Sequence, residues 1–331
     1  MLTVLPVLAM GHASPVLEPK TRITIPNVTG RMDHLGVDIK GHRLFVTAFD
    51  NHTVEVIDLQ SRQTVRTLSN FGNPQGSLYD PSTNHLFISS SADGTVKIFN
   101  ATTFEMLATV KLSSDADNMR YDNHSNSVVV GYGGEKFLRG KPVRGHGDGA
   151  LAFLDSTGKK TGEIALDAHP ESFQLEKFGT RVFVNVPDHK EVEVADVLKR
   201  SALARWPIPT CTDNFPMALD EVHHRLFVGC RTPSRLLVFD TGNGKIVASL
   251  PIVEHTDDLF YDASKARIYI LGEGFIEAWQ QEDPDRYDKI EHFSTPPNSR
   301  TGLFVPGWGK LFEAVSHHGT RDAEILVYET R

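Results

Sequence analysis

No run in this sequence approaches the roughly eighteen consecutive apolar residues that a membrane-crossing helix needs, so no transmembrane segment is expected. An excess of positive charge is missing too. There are 34 Lys and Arg against 42 Asp and Glu, a formal net charge of −8, which argues against a nucleic-acid partner whose phosphates demand a basic face. The sequence contains no Gly-x-Ser-x-Gly, no phosphate-binding P-loop and no Gly-x-Gly-x-x-Gly between a strand and a helix. Serine hydrolysis, phosphoryl transfer and hydride transfer therefore have no support in sequence. Any catalysis would have to be general acid–base or metal-assisted. Cysteine is limited to Cys211 and Cys230.

Apolar residues make up 40% of the 331 residues, so a core can form without any disulfide or metal. The repeat is plain. Arg43–Ala48, Thr53–Asp58 and Thr64–Leu68 are short β-branched and aromatic runs separated by polar turns, which predicts strands joined by hairpins. The unit recurs at His85–Ser90 with Thr95–Asn100 and Glu105–Lys111, at Arg181–Val186 with Glu191–Asp196, and at Arg225–Cys230 with Arg235–Asp240. Arg267–Leu271 with Phe275–Gln280, and Lys310–Ala314 with Ala323–Tyr328, complete it.

A short strand ending in an acid precedes each unit: Asp38, Asp80, Asp122, Glu176, Asp220 and Asp262, spaced 42, 42, 54, 44 and 42 residues apart. That is the period of a four-stranded propeller blade. The acids read as turn residues, because Asp bonds backbone N–H groups two residues on. The last unit lacks a fourth strand, and Thr21–Ile25 is a strand without a unit. Pairing the two closes the ring and hides its edges. The expected fold is all-β, a seven-bladed β-propeller spanning residues 21–331, with residues 1–20 an export-signal remnant or disordered tail. Leu2–Met10 followed by Gly11-His12-Ala13 resembles a signal-peptidase site without a basic leader.

The pattern Leu-Phe-Val-Thr, Thr-Val-x-Val-Ile-Asp, Thr-Val-x-Thr-Leu, carried best by residues 43–68, resembles the repeat of YVTN-type, YncE-like propellers. The resemblance covers essentially the whole chain after residue 20. It implies an exported bacterial propeller, periplasmic or secreted, and carries over no catalytic residue.

Loops that enter the inner strands share one face, here the top, with loops between second and third strands. The residue five before each terminal acid is Asp33, Gln75, Asp117, Glu171, Phe215 and Asp257. Nearby positions add His34, Asn118, His169, Asp213, Asn214, His255, Asp258 and Arg300, and Arg231 lies in a second–third loop of this face. A long insertion, Gly133–Gly149, accounts for the 54-residue spacing and carries Lys136, Arg139, Lys141, Arg144 and His146.

Three readings compete for this funnel. Polar residues at strand starts can simply cap loops by bonding nearby backbone. They can form a site for a small polar ligand: His34, Asn118, His169, Glu171, Asn214, Arg231, Asp257, Asp258 and Arg300, with arginines taking a carboxylate or phosphate and acids an amine or cation. Or a divalent metal ion is held by His34, His169 and His255 with Glu171 or Asp257, a normal imidazole–carboxylate set. A lyase or lactonase using this funnel is the enzymatic alternative to a binding role. Cys211 and Cys230 both fall at the top of blade five, where an exported protein would pair them in a disulfide.

Overall fold

The computed structural model describes residues 15–134, 136–138, 141–143 and 148–331, with backbone alone for 136–138 and 141–143. Seven four-stranded antiparallel sheets follow one another around a ring, each running from an inner to an outer strand. The second strands show why these sequences form blades. Arg43–Ala48, His85–Ser90, Arg181–Val186, Arg267–Gly272 and Lys310–Val315 each have a half-buried first residue followed by five buried ones. A strand covered on both faces by neighbouring blades must be apolar at nearly every position, not at alternate ones. Outer strands such as Met106–Lys111 face solvent and are mostly exposed.

The apolar core is divided among the seven blade interfaces. One cluster joins Phe87, Val96 and Ile98 of blade two to Val128, Val130 and Ala152 of blade three. Another joins Leu44 and Val46 of blade one to Ile23, Ile25, Ile325 and Val327 of blade seven. That last cluster closes the ring. The N-terminal strand pairs antiparallel with Ala323–Thr330, Ile23 opposite Ile325 and Ile25 opposite Ala323, as the repeat count requires. It begins at Leu17, so residues 17–20, assigned above to the tail, belong to the blade. The cause is local: Leu17 is fully buried, and Glu291 accepts the backbone N–H groups of Val16 (2.7 Å) and Leu17 (3.1 Å).

The acids that end the inner strands work as turn residues. Asp38 accepts the Gly41 N–H at 2.8 Å, Asp122 that of His124 at 3.1 Å, and Asp262 that of Ser264 at 2.9 Å. Two also hold the arginine that opens the next strand, Asp38 with Arg43 at 2.7 Å and Glu176 with Arg181 at 2.5 Å. Those arginines reach the carbonyls of Ala101 and Thr241 in the following blades, tying blade to blade on the bottom face. On the same face His42 is exposed and stacks on Trp308 with ring centroids 5.4 Å apart.

In blade three the insertion forms a small hairpin, Lys136–Leu138 with Lys141–Val143. The side chains of Lys136, Arg139, Lys141, Arg144 and His146 lie outside the described residues. In blade five Cys211 and Cys230 form the expected disulfide, with Cα atoms 6.1 Å apart.

Candidate functional site in the top-face funnel

Five residues before the end of each inner strand stand Asp33, Gln75, Asp117, Glu171, Phe215, Asp257 and Arg300, and all seven line one cavity of about 500 Å³. Arg300 completes the ring because Val305, opposite Lys310, stands where the acids stand in the other blades. The next residues, His34, Gly76, Asn118, Ser172, Pro216 and Asp258, line a second cavity of about 330 Å³, and His34 lines both. The residues just before the ring, Met32, Pro74, Ala116, Pro170, Asn214, Thr256 and Ser299, are all buried.

Strand alternation alone would turn two successive residues to opposite faces. One residue opposes two at this point: Thr47 faces Asp33 and His34, Gly131 faces Asp117 and Asn118, Asn185 faces Glu171 and Ser172, and Leu271 faces Asp257 and Asp258. Register shifts at Pro74/Ser77, Asn214/Met217 and Ser299/Thr301 mark the other blades. A β-bulge places two residues of one strand against one of its partner and re-aims side chains. Bulges at the mouth thus give the channel two stacked polar rings.

The residue types that drew attention in sequence now separate. His34, Glu171, Arg231, Asp257 and Arg300 line the upper cavity, and Asn118 and Asp258 the lower one. Asn214 does not reach either. It sits in the buried layer and donates to Asn185 Oδ1 and the Glu191 carbonyl, both at 3.0 Å. His255 is exposed and lines neither cavity, so the set His34, His169 and His255 is not brought together. Asn73, Asp115, Asp213, His255 and Asn298 occupy the same position in five blades, and all have φ between 38° and 60°. Asn, Asp and His are the side-chain types enriched in that left-handed region, so His255 is a turn residue.

The upper cavity has two halves. On one side Asp257 takes Arg231 on one oxygen and Arg300 Nε on the other at 2.9 Å. Arg231 lies over the Phe215 ring at 3.9 Å and Arg31 over Phe49 at 4.0 Å, so aromatic faces hold two guanidinium groups in place. Arg31 also bonds Asp33 at 2.9 Å. Arg31, Phe49 and Asp115 were not singled out from sequence. Arg31 and Asp115 share the position of His255, whose meaning depends on the backbone of each blade.

The other half is acidic. Asp115, Asp117 and Glu171 line it, and His169 is buried behind them at 2% exposure. His169 Nδ1 lies 2.7 Å from the Gly133 carbonyl and Nε2 lies 3.5 Å from Asp115 Oδ2. This contact depends on glycine. A Cβ on Gly134 would collide with the backbone of His169, and Gly133 has φ of 83°. The base of the insertion therefore packs directly against His169.

At the throat between the cavities, His34 stands between Asp258 (3.5 Å) and Asp33 (3.7 Å), with Asn118 at 3.4 Å. Burial disfavours its charged form, but Asp258, Asp33 and Asp117 outweigh that and raise its pKa well above the usual imidazole value. Burial raises the Asp33 and Asp117 carboxyls, and His34 opposes it. For His169, burial is likewise outweighed by Asp115, Glu171 and Asp117, so its pKa is raised.

No protein-family model matches this sequence, and no curated protein matches it.

Proposed function

We propose that this chain is an exported YncE-like propeller that binds a small polar ligand in the top-face funnel, with the ligand's carboxylate or phosphate group against Arg300 and Arg231. One observation carries this reading: seven ring residues from seven blades line a single cavity, and its arginines are gathered on one side around Asp257. Concave sites with a few convergent polar groups are where small ligands bind, and arginine's planar fork suits carboxylate and phosphate. A cavity of about 500 Å³ suits a metabolite rather than a polymer. Export is supported by the Cys211–Cys230 disulfide and by the apolar stretch Leu2–Met10. The YncE-like assignment rests on the repeat in residues 43–68.

The test is thermal shift and calorimetry with a panel of small carboxylates, phosphate esters and amino acids. Stabilisation of the wild type that is lost in Arg300→Ala supports the proposal. No shift across the panel, or shifts unchanged in the variant, would overturn it.

A second reading has its own observation. An imidazole held between Asp33 and Asp258 at the throat is arranged for general acid–base chemistry, which favours a lyase or lactonase over a pure binder. Turnover of a lactone or elimination substrate by the wild type, abolished in His34→Gln with Tm retained, would decide for it.

A further inference from the structure

We propose that Asp117, His169 and Glu171 form a divalent transition-metal site in the acidic wall of the upper cavity, with Asp115 beside the imidazole. One ligand atom from each of the three residues lies within 4.8 Å of the others, close enough for a single ion to bridge. The histidine is set up as a ligand. Its Nδ1 donates to the Gly133 carbonyl at 2.7 Å, which directs Nε2 toward the carboxylates. Metal-bound histidines characteristically donate their other ring N–H to a backbone carbonyl or carboxylate, which fixes tautomer and ring orientation.

Asp117 supplies the independent sign of a missing partner. Its side chain is 7% exposed, lines the cavity, and has Oδ1 buried with no hydrogen-bond partner among the described residues. A buried carboxylate oxygen without a donor is costly, and an ion on the cavity side satisfies it. Imidazole with carboxylates selects Zn²⁺, Mn²⁺, Co²⁺ or Fe²⁺ over Ca²⁺, which prefers an all-oxygen shell.

The other cluster of similar composition, Asp167, His189 and Glu191, is on the surface and is already served by Arg205, 2.6 Å from Asp167. It makes a useful control. The metal site does not depend on the proposal for Arg300, because metal binds or fails to bind without any organic ligand.

The experiment uses the full chain stripped with chelator and titrated with Zn²⁺, Mn²⁺ and Co²⁺, followed by calorimetry and elemental analysis after dialysis. The expected result is about one equivalent per chain, with a raised Tm. Asp117→Asn and His169→Gln should each weaken binding by about 100-fold or more, while His189→Gln leaves it unchanged. Glu171→Gln, at a less buried position, gives the same reading should a variant of a buried ligand fail to fold. Co²⁺ adds a visible ligand-field spectrum that should vanish in Glu171→Gln. No bound equivalent in the wild type, or binding unchanged in His169→Gln or Glu171→Gln, overturns the site. Loss of binding in His189→Gln alone would place the metal on the surface and overturn it equally.

Discussion

Asp257 of blade six and Arg300 of blade seven meet across 2.9 Å at the funnel mouth, and the other Asp257 oxygen is held by Arg231 of blade five. Three consecutive blades thus converge on one carboxylate. The shared carboxylate keeps two guanidinium groups side by side, where mutual repulsion would otherwise separate them.

Removing Arg300 should therefore cost binding and little else. Partly exposed ion pairs contribute about 0–1 kcal/mol, and Asp257 keeps Arg231 as partner. Arg300→Ala should lower the unfolding free energy in a urea titration by no more than that while abolishing ligand-induced stabilisation. Unfolding of the variant would show the ring to be structural.

Ring closure should be the costliest feature to lose. Ile23 and Ile25 are buried in the first-to-last blade junction, and Leu17 is buried between blades six and seven. Ile23→Ala should destabilise by about 2–5 kcal/mol, the usual range for an aliphatic side chain truncated in a core. Deleting residues 1–26 removes the whole strand and exposes the edge of Ala323–Thr330, and should yield aggregated or unfolded protein. A truncated chain with wild-type melting behaviour would refute closure by this strand.

The Cys211–Cys230 bond links residues 19 apart in sequence. Closing a loop of that length is worth roughly 3 kcal/mol in the chain-entropy treatment. The double Ser variant, or reduction of the wild type, should lower Tm with the blade architecture retained by circular dichroism. An unchanged Tm under full reduction would mean that the bond contributes nothing to stability.

Glu313 gives a pH signature away from the funnel. It is fully buried and accepts the Tyr328 hydroxyl at 2.7 Å; burial raises its pKa above the usual carboxylate value of 4.5, against the hydrogen bond from Tyr328. The native state then binds more protons than the unfolded state over the interval between 4.5 and the raised value. This contribution to stability is full below pH 4.5 and is lost as pH rises through the native pKa. Glu313→Gln, neutral throughout, should gain stability relative to wild type between pH 4 and pH 8. A Tm difference that stays constant over that range would show that the native and unfolded pKa values are equal.

Much of this molecule was legible in one dimension. Strands covered on both faces are mostly apolar, and turns need Asp at fixed offsets, so a spacing near 42 residues reports blade number directly. The same phase located Asp33, Gln75, Asp117, Glu171, Phe215 and Asp257 as one set, because a ring of equivalent blades brings equivalent positions together. It could not say which way neighbouring residues turn. Bulges at the mouth sent Asn214 into a blade and kept His34 and Asp258 in the channel, while His255 stays at the surface. His169 shares the position of His255 yet is buried, because Gly133, at the base of the blade-three insertion, offers it a carbonyl. Side-chain direction at a bulge is settled by contacts between segments distant in sequence, such as His169 with Gly133, and so only the tertiary structure decided which of the polar residues near each strand start face the cavity.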